Sequence, residues 1–341
     1  MVQRLPVEEF LLKAKGKIII DVRSPKEFSH AHIPNAISLP LFSDIERAEV
    51  GTAYKQKGRE EAMLIGLKHY GANMQRIISG IKEAGNPKEL YVHCWRGGMR
   101  SGVVSWMLDL FGYKVFTLEK GYKSFRHFAL SQFEKKYPLQ ILGGRTGSAK
   151  TLVLKELQKK NQQAIDLEGL ANHKGSAFGA LGEAPPPSQE QFENFLALEL
   201  LNKNYEKPIW LEDESQRIGW VNVPNNMWLQ MRATKVFYLD IPFEIRLKYI
   251  VENYGVFDIE HLKDATNRIS QKLGGLNTKL TLQFLEEKNF TEAFRILLHY
   301  YDKFYDRATD KRETTSVYKI SCEEISPEKN TEKILAQIKI S

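Results

Sequence analysis

Cysteine is scarce in this chain: only Cys94 and Cys322 are present, far apart. Such a pair builds neither a disulfide framework nor a zinc site of repeated Cys-x-x-Cys type, and the natural setting is a reducing one. Long apolar runs are also missing; none approaches the roughly 20 residues that a membrane-spanning helix needs. The opening Met1-Val-Gln-Arg-Leu-Pro6 has no apolar signal core. The expectation is a cytoplasmic protein with no membrane partner. There is no internal repeat, and the one low-complexity patch is Pro185-Pro186-Pro187. Acidic residues fall short of basic ones, 42 against 49, for a net charge of +7. That excess permits a polyanionic partner without demanding one. The 341 residues, 42% hydrophobic and 27% charged, have room for two or three domains with cores of their own.

What is present is concentrated around Cys94. Glu89-Leu-Tyr-Val-His93 reads as a buried strand, Trp95-Arg96-Gly-Gly-Met-Arg100 as a loop, and Val103 to Leu110 as the helix that follows. A sulfur placed there is ringed by backbone N–H groups at a helix N-terminus, which favour a thiolate and also bind an anion. Arg96 and Arg100 add fixed positive charge, so the loop suits a nucleophilic sulfur held against an anionic group. A structural cysteine before a tight turn is the plain alternative. Two glycines and two arginines within six residues have no packing purpose and argue against it. Cys322, next to Glu323 and Glu324, reads as structural.

The first third alternates short strands (Lys17–Val22, Ala36–Pro40, Glu89–His93, Lys114–Leu118) with helical stretches such as Met63–Glu83. That alternation predicts a parallel sheet covered on both faces, with ligands at the carboxyl ends of the strands. Residues 120–137 read as a connection rich in Lys120, Lys123, Arg126, Lys135 and Lys136. This is either a solvated helix face or a nucleic-acid contact.

A second centre follows. The strand Leu139–Leu142 runs into Gly143-Gly144-Arg145-Thr146-Gly147-Ser148-Ala149-Lys150-Thr151 and a helix from Leu152. This is a phosphate-binding loop in strand–loop–helix context: backbone N–H groups cradle phosphate, Lys150 reaches its terminal oxygens and Thr151 can hold Mg²⁺. Ala149 stands where glycine is usual, tolerable if its φ is negative. Downstream, Lys207–Glu214 predicts a strand ending in Glu212, Asp213 and Glu214, where an acid would meet Mg²⁺ or its water shell. Asp166–Gly179 is polar and glycine-rich; its Asn172, His173, Lys174 and Ser176 are expected to face a substrate. Ser188-Gln-Glu-Gln191 should start a helix through Leu201. Lys235–Asp240 reads as a strand and Pro242–Val251 as a helix ending near Gly255. Asn277–Arg307 reads as one helix whose Phe284, Phe290, Phe294, Tyr300, Tyr301, Phe304 and Tyr305 form a packing face, with Lys303 and Arg307 offering base stacking as the lesser reading. Val317–Ile320 and Thr331–Ile338 close the chain as strand and helix.

Asp21-Val-Arg23-Ser-Pro-Lys-Glu27-Phe28, His32-Ile-Pro34-Asn-Ala36, the Cys94 loop and Leu118-Glu-Lys-Gly121-Tyr122 together resemble the rhodanese domain, over about residues 5–130. In that family the cysteine carries sulfur or selenium as a persulfide or perselenide. Arg100 lies six positions after Cys94, a loop one residue longer than in sulfur-transferring rhodaneses and similar to that of rhodanese-like phosphatases. The wider cradle suits a phosphate-bearing or larger chalcogen donor.

With the phosphate loop and the Asp166–Gly179 segment included, the chain resembles bacterial tRNA 2-selenouridine synthases over nearly its full length. The resemblance implies an α/β protein. Residues 1–130 would form a rhodanese-like parallel-sheet domain, and 131–341 a P-loop NTPase-like domain with helical additions. It further implies a tRNA partner bearing a wobble 2-thiouridine, with geranyl diphosphate and selenophosphate as co-substrates and a selenophosphate-supplying enzyme as a possible partner. The phosphate loop, Gly144 and Thr146 to Thr151, would serve geranylation of the sulfur; Cys94, Arg96 and Arg100 would serve its replacement by selenium. Two other activities stay compatible with the residues: a P-loop kinase or NTPase with a rhodanese regulatory module, and a rhodanese-like phosphatase.

Overall fold

The computed structural model describes residues 1–309 and 317–338; the side chains of residues 304–309, among them Phe304, Tyr305 and Arg307, lie outside the described set. The chain divides into two compact units, Met1–Gln132 with Glu193–Leu198, and Phe133–Phe192 with Glu199–Ser341.

The first unit is built on five strands: β1 (Gln3–Leu5), β2 (Ile19–Asp21), β3 (Ala36–Ser38), β4 (Glu89–His93) and β5 (Lys114–Leu118). They lie in the order β1-β5-β4-β2-β3 with every pair parallel. Parallel strands buried on both faces read as unbroken apolar runs, as Ile19-Ile20 and Leu90-Tyr91-Val92 do. One face packs against Met74, Ile77, Ile78 and Ile81 of the helix Arg59–Glu83 and against Val104 and Leu108 of the helix Met99–Leu110. The helix Asp44–Gln56 escapes a periodicity reading, because only Ala53 of its residues is buried; its start is fixed locally by a Ser43/Glu46 capping box. Residues 121–132 are a helix rather than a connection. It buries Tyr122, Phe125, Phe128 and Ala129 and leaves Lys123 exposed.

The second unit carries β6 (Leu139–Gly144), β7 (Gln163–Ala164), β8 (Ile209–Glu212), the two-stranded hairpin β9 (Arg217–Ile218) and β10 (Val221–Asn222), β11 (Val236–Asp240) and β12 (Val317–Ser321). The main sheet runs β12-β11-β6-β8-β7, all parallel. Its core joins Val153, Leu154 and Leu157 of the helix Lys150–Lys159 to Trp210 and Phe237 and to Ile334 of the final helix. A separate apolar cluster, with Phe178, Leu247, Leu262, Leu285, Phe294 and Leu297, holds the helical additions together. The helix start expected at Ser188 is present, its hydroxyl accepting from the Gln191 N–H at 3.1 Å.

The long helix expected from Asn277 is instead two, Gly275–Glu286 and Phe290–Thr309. Between them Lys288 adopts φ 56°, and Asn289 caps the second by accepting from the Glu292 N–H at 3.3 Å. The apolar spacing continues across the break, so periodicity alone conceals it.

Gly121 shows how closely the first unit fits around Cys94. At φ 59°, any Cβ it carried would press on the Cys94 carbonyl and the Gly97 N–H. Gly121→Ala is expected to cost about 2–3 kcal/mol through left-handed strain plus that clash, read as an earlier urea midpoint. An unchanged midpoint would show that the loop adapts freely.

Candidate functional site

In the first unit, β4 delivers Cys94 to the carboxyl edge of the sheet and the helix Met99–Leu110 leaves from the same loop. Cys94 is buried, its Sγ 3.2 Å from the Ser101 hydroxyl. The loop is clamped from the next helix: the Tyr122 N–H donates to the Cys94 carbonyl at 2.8 Å and the Lys123 N–H to that of Trp95 at 3.0 Å. Gly97, at φ 60°, has no room for a Cβ, which would meet the Leu118 carbonyl oxygen at 2.8 Å. Beneath the loop Asp21 takes a two-pronged contact from buried Arg23, with Nη2 to Oδ2 at 2.6 Å, and Arg23 lies 3.9 Å from the centre of the Tyr122 ring. Burial raises the Asp21 carboxyl, but His93 and Arg23 outweigh it and the group ends below its ordinary value. His93 is fully buried, and desolvation keeps its imidazole neutral to lower pH than usual.

The two arginines differ. Arg96 is exposed on the loop. Arg100 is engaged by Glu27, Nη1 to Oε2 at 2.6 Å and Nη2 to Oε1 at 3.2 Å. Burial raises Glu27, yet Arg100, the Ser24 N–H and Arg47 bring it below the usual carboxylate range. An anion approaching Arg100 therefore competes with a carboxylate, which the sequence spacing does not disclose. Arg126, one of the basic residues offered for RNA, is likewise committed, to Glu193 at 2.5 Å and Asn194 at 2.7 Å.

In the second unit, Thr146 to Thr151, Lys174 and Ser176 line one cavity of about 410 Å³, together with Lys155, Asp166, Glu168, Tyr249, Tyr254 and Tyr301. Gly144 lies under the loop, where a Cβ would come within 2.5 Å of the Ser148 hydroxyl. Lys150 is nearly buried and its Nζ is 3.3 Å from the Gly144 carbonyl. Ser148 Oγ is buried without a hydrogen-bond partner. Ala149 has φ 53° and ψ 38°, so the condition that its φ be negative is not met and the methyl sits in left-handed backbone.

The acidic residues fall differently from their sequence order. Glu212, fully buried, faces Thr151, with Oε1 3.4 Å from Oγ1; Glu168 Oε2 is 3.2 Å from the same hydroxyl. Asp213 turns away, 3.8 Å from Arg232. Alternation along a strand end explains the split, since neighbouring residues point to opposite faces. Glu214 joins Glu168 by a hydrogen bond, and a Cβ on Gly175 would touch both carboxylates. Burial raises all three glutamates: Glu168 and Glu212 upward, the latter strongly, and Glu214 to about 8. Lys150 opposes each rise. Glu214 belongs to the acidic strand end expected from the sequence, whereas Glu168 is brought to Thr151 only by the fold, its polar segment being the one local hint.

The Asp166–Gly179 segment also divides. Lys174 and Ser176 face the cavity, whereas the Asn172 amide ties the segment to the proline stretch by donating to the Pro185 carbonyl at 2.9 Å. His173 is buried and accepts from the Gly175 N–H at 3.1 Å. Beside the main cavity lies an apolar crevice walled by Phe178, Phe294, Leu297 and Leu298; it shares Thr146, Ser176, Ile250, Tyr254 and Tyr301 with the cavity. Among the described residues no three His, Cys, Asp or Glu side chains already converge as a metal site, and no helix is long and apolar enough to cross a membrane.

A family model for the tRNA 2-selenouridine synthase AAA domain matches residues 137–333, and one for the rhodanese-like domain matches residues 8–127. The chain is 32% identical to the tRNA 2-selenouridine synthase of Sulfurovum sp. (strain NBC37-1), across 90% of this chain and 93% of the relative. It is 33% identical to that of Shewanella sediminis (strain HAW-EB3), across 89% and 91%, and 36% identical to that of Hydrogenovibrio crunogenus (strain DSM 25203 / XCL-2), across 86% and 90%.

Two outcomes follow from the geometry. Ala149→Gly removes left-handed strain against a smaller entropic loss and should stabilise the second unit by about 1 kcal/mol, a Tm rise of roughly 2–4 °C by calorimetry. A lower Tm would show that the methyl is favourably packed. Glu214, whose folded-state value of about 8 lies above the ordinary 4.5, binds more protons folded than unfolded between those values. Its contribution to stability is therefore complete below about pH 4.5 and lost as pH rises through about 8. Urea titrations from pH 5 to 9 should show that decline, and Glu214→Gln should flatten it; an identical slope in the variant would refute the assignment.

Proposed function

We propose a function from one premise: the chain belongs to the tRNA 2-selenouridine synthase family, and it is an enzyme. The proposed substrate is a tRNA with 2-thiouridine at the wobble position, converted to 2-selenouridine in two steps. In the first, the thiocarbonyl sulfur attacks the allylic carbon of geranyl diphosphate; the C–S bond forms as the C–O bond breaks and diphosphate leaves. In the second, water takes the phosphoryl group of selenophosphate, and the hydroselenide released displaces an external thiol from its mixed disulfide with Cys94, leaving a perselenide whose selenium attacks C2 of the base. The C–Se bond forms as the geranyl thiol departs, and the external thiol then cleaves the S–Se bond, freeing the selenouridine and regenerating the mixed disulfide on Cys94. A selenophosphate-supplying enzyme is the proposed upstream partner.

One observation carries the diphosphate assignment. The phosphate-loop cavity opens on an apolar crevice of Phe178, Phe294, Leu297 and Leu298. That pairing suits an isoprenoid diphosphate: Lys150 and loop N–H groups meet the charge growing on the leaving group, while the crevice, about 30 Å³ as it stands, has to widen for the chain to lie against its aliphatic and aromatic walls. A nucleoside triphosphate would bring a polar sugar to the same walls. The donor set also fits Mg²⁺. Two buried carboxylates and the half-buried Glu168 face one lysine, and a divalent ion held by Thr151 with Glu212 and Glu168 would relieve that imbalance and polarise the diphosphate. For Cys94, support comes from its place at a helix N-terminus beside Arg96 and Arg100. Release of Arg100 from Glu27 is then part of donor binding.

Mass spectrometry of tRNA nucleosides after incubation with geranyl diphosphate and selenophosphate tests this directly. Cys94→Ala should abolish selenium incorporation and leave geranylation largely intact. Lys150→Ala should slow geranylation by roughly a hundredfold or more, the cost of about 2–4 kcal/mol for one preorganised charge, while selenation of pre-geranylated tRNA survives. Normal geranylation by Lys150→Ala, or ATP turnover without tRNA and no modified base, would overturn the reading.

A further inference from the structure

The Asp166–Gly179 segment also borders another groove of the second unit, of about 370 Å³. Its walls include His173, Gly175, Ser176, Arg217, Trp220 and Arg268. Trp220 is 72% exposed, the most exposed aromatic among the described residues. An indole left in solvent presents a flat apolar face of the kind on which nucleobases stack. Its backbone is fixed: Trp220 occupies the two-residue turn between β9 and β10, with Gly219 before it at φ 56°. Gly219 rests on the His173 ring, where a Cβ would come within 2.5 Å. His173 in turn is tied to the segment lining the phosphate cavity, through the Gly175 N–H.

Two guanidinium groups line the same groove as the indole. Arg217 donates to the Gly219 carbonyl at 3.0 Å and Arg268 to the Ala177 carbonyl at 3.2 Å. Neither has a carboxylate partner among the described residues, in a chain where Arg23, Arg100, Arg126, Arg246 and Arg295 all do. Their charge is oriented by backbone carbonyls yet left unneutralised. An exposed aromatic plane sharing one groove with two such cations matches a base with its adjoining phosphates. Ser176 and Gly175 line both this groove and the phosphate-loop cavity, so a nucleotide here lies one chain thickness from the proposed diphosphate.

We infer that this groove is an RNA-docking site: Trp220 stacks on an unpaired base of the anticodon loop, and Arg217 and Arg268 meet the neighbouring phosphates. The inference rests on the tRNA reading above and gives that substrate a surface. It moves the expected contact from the basic helix at residues 121–132 to the β9–β10 hairpin.

The test is binding of a tRNA transcript with a wobble uridine to the full chain, measured over a range of salt concentrations, with geranyl diphosphate affinity measured in parallel. Trp220→Ala should weaken tRNA binding roughly 5- to 150-fold, the span of one base–aromatic stack, without altering the salt dependence. Trp220→Phe should recover most of the loss. The double variant Arg217→Ala/Arg268→Ala should reduce the log–log salt slope by about one to two, one per lost phosphate contact. Geranyl diphosphate affinity should stay at the wild-type value in all three. Wild-type tRNA affinity in Trp220→Ala would overturn the docking site alone. Equal loss of tRNA and geranyl diphosphate affinity would reduce Trp220 to a structural role and also overturn it. Failure of the wild-type chain to bind tRNA would instead remove the tRNA reading itself.

Discussion

Both candidate centres depend on one geometrical constraint. A parallel strand cannot turn straight back; the chain must leave its carboxyl end and cross over, normally through a helix. β4 and β6 each end on a short glycine-bearing loop that becomes a helix N-terminus, so unsatisfied N–H groups and the positive end of a helix collect at the sheet edge. Cys94 occupies one such position and Lys150 the other. The glycines are fixed by space as much as by conformation. Gly97 and Gly121 let two loops pass in contact, and Gly144 makes room for Ser148.

The second unit adds a charge problem to that frame. Glu168, Glu212 and Glu214 converge near Lys150 and Thr151 with too little positive charge nearby, and desolvation drives their carboxyl groups upward. A shared proton between Glu168 and Glu214 is one relief; a cation with its phosphate ligand is another. The second unit thus carries an excess of desolvated acid beside its phosphate loop. The first unit has the opposite arrangement. There Glu27 covers the Arg100 guanidinium, and an arriving anion has to displace it.

The phosphate loop also stores strain. Ala149 holds left-handed backbone that glycine would adopt freely, in the first turn facing the cavity. The surrounding contacts, with the Leu152 and Val153 N–H groups both donating to the Ala149 carbonyl, keep it there.

Much was legible in the sequence because it is locally encoded. Apolar runs gave the parallel strands, the glycine-rich segments after β4 and β6 gave the two loops, and Ser188 gave a helix start, since each signal lies within a few residues of what it specifies. Tertiary structure alone decided the partners. Which acid meets Thr151 follows from the side of β8 that each residue faces, and favours Glu212 over Asp213. That Glu27 holds Arg100 joins residues 73 apart, that Glu168 holds Thr151 joins residues 17 apart, and no local spacing encodes either. Trp220 is not marked by its sequence, and His173, expected to face a substrate, is buried instead, for the same reason: an exposed indole and a buried imidazole are decided by what the rest of the chain brings against them.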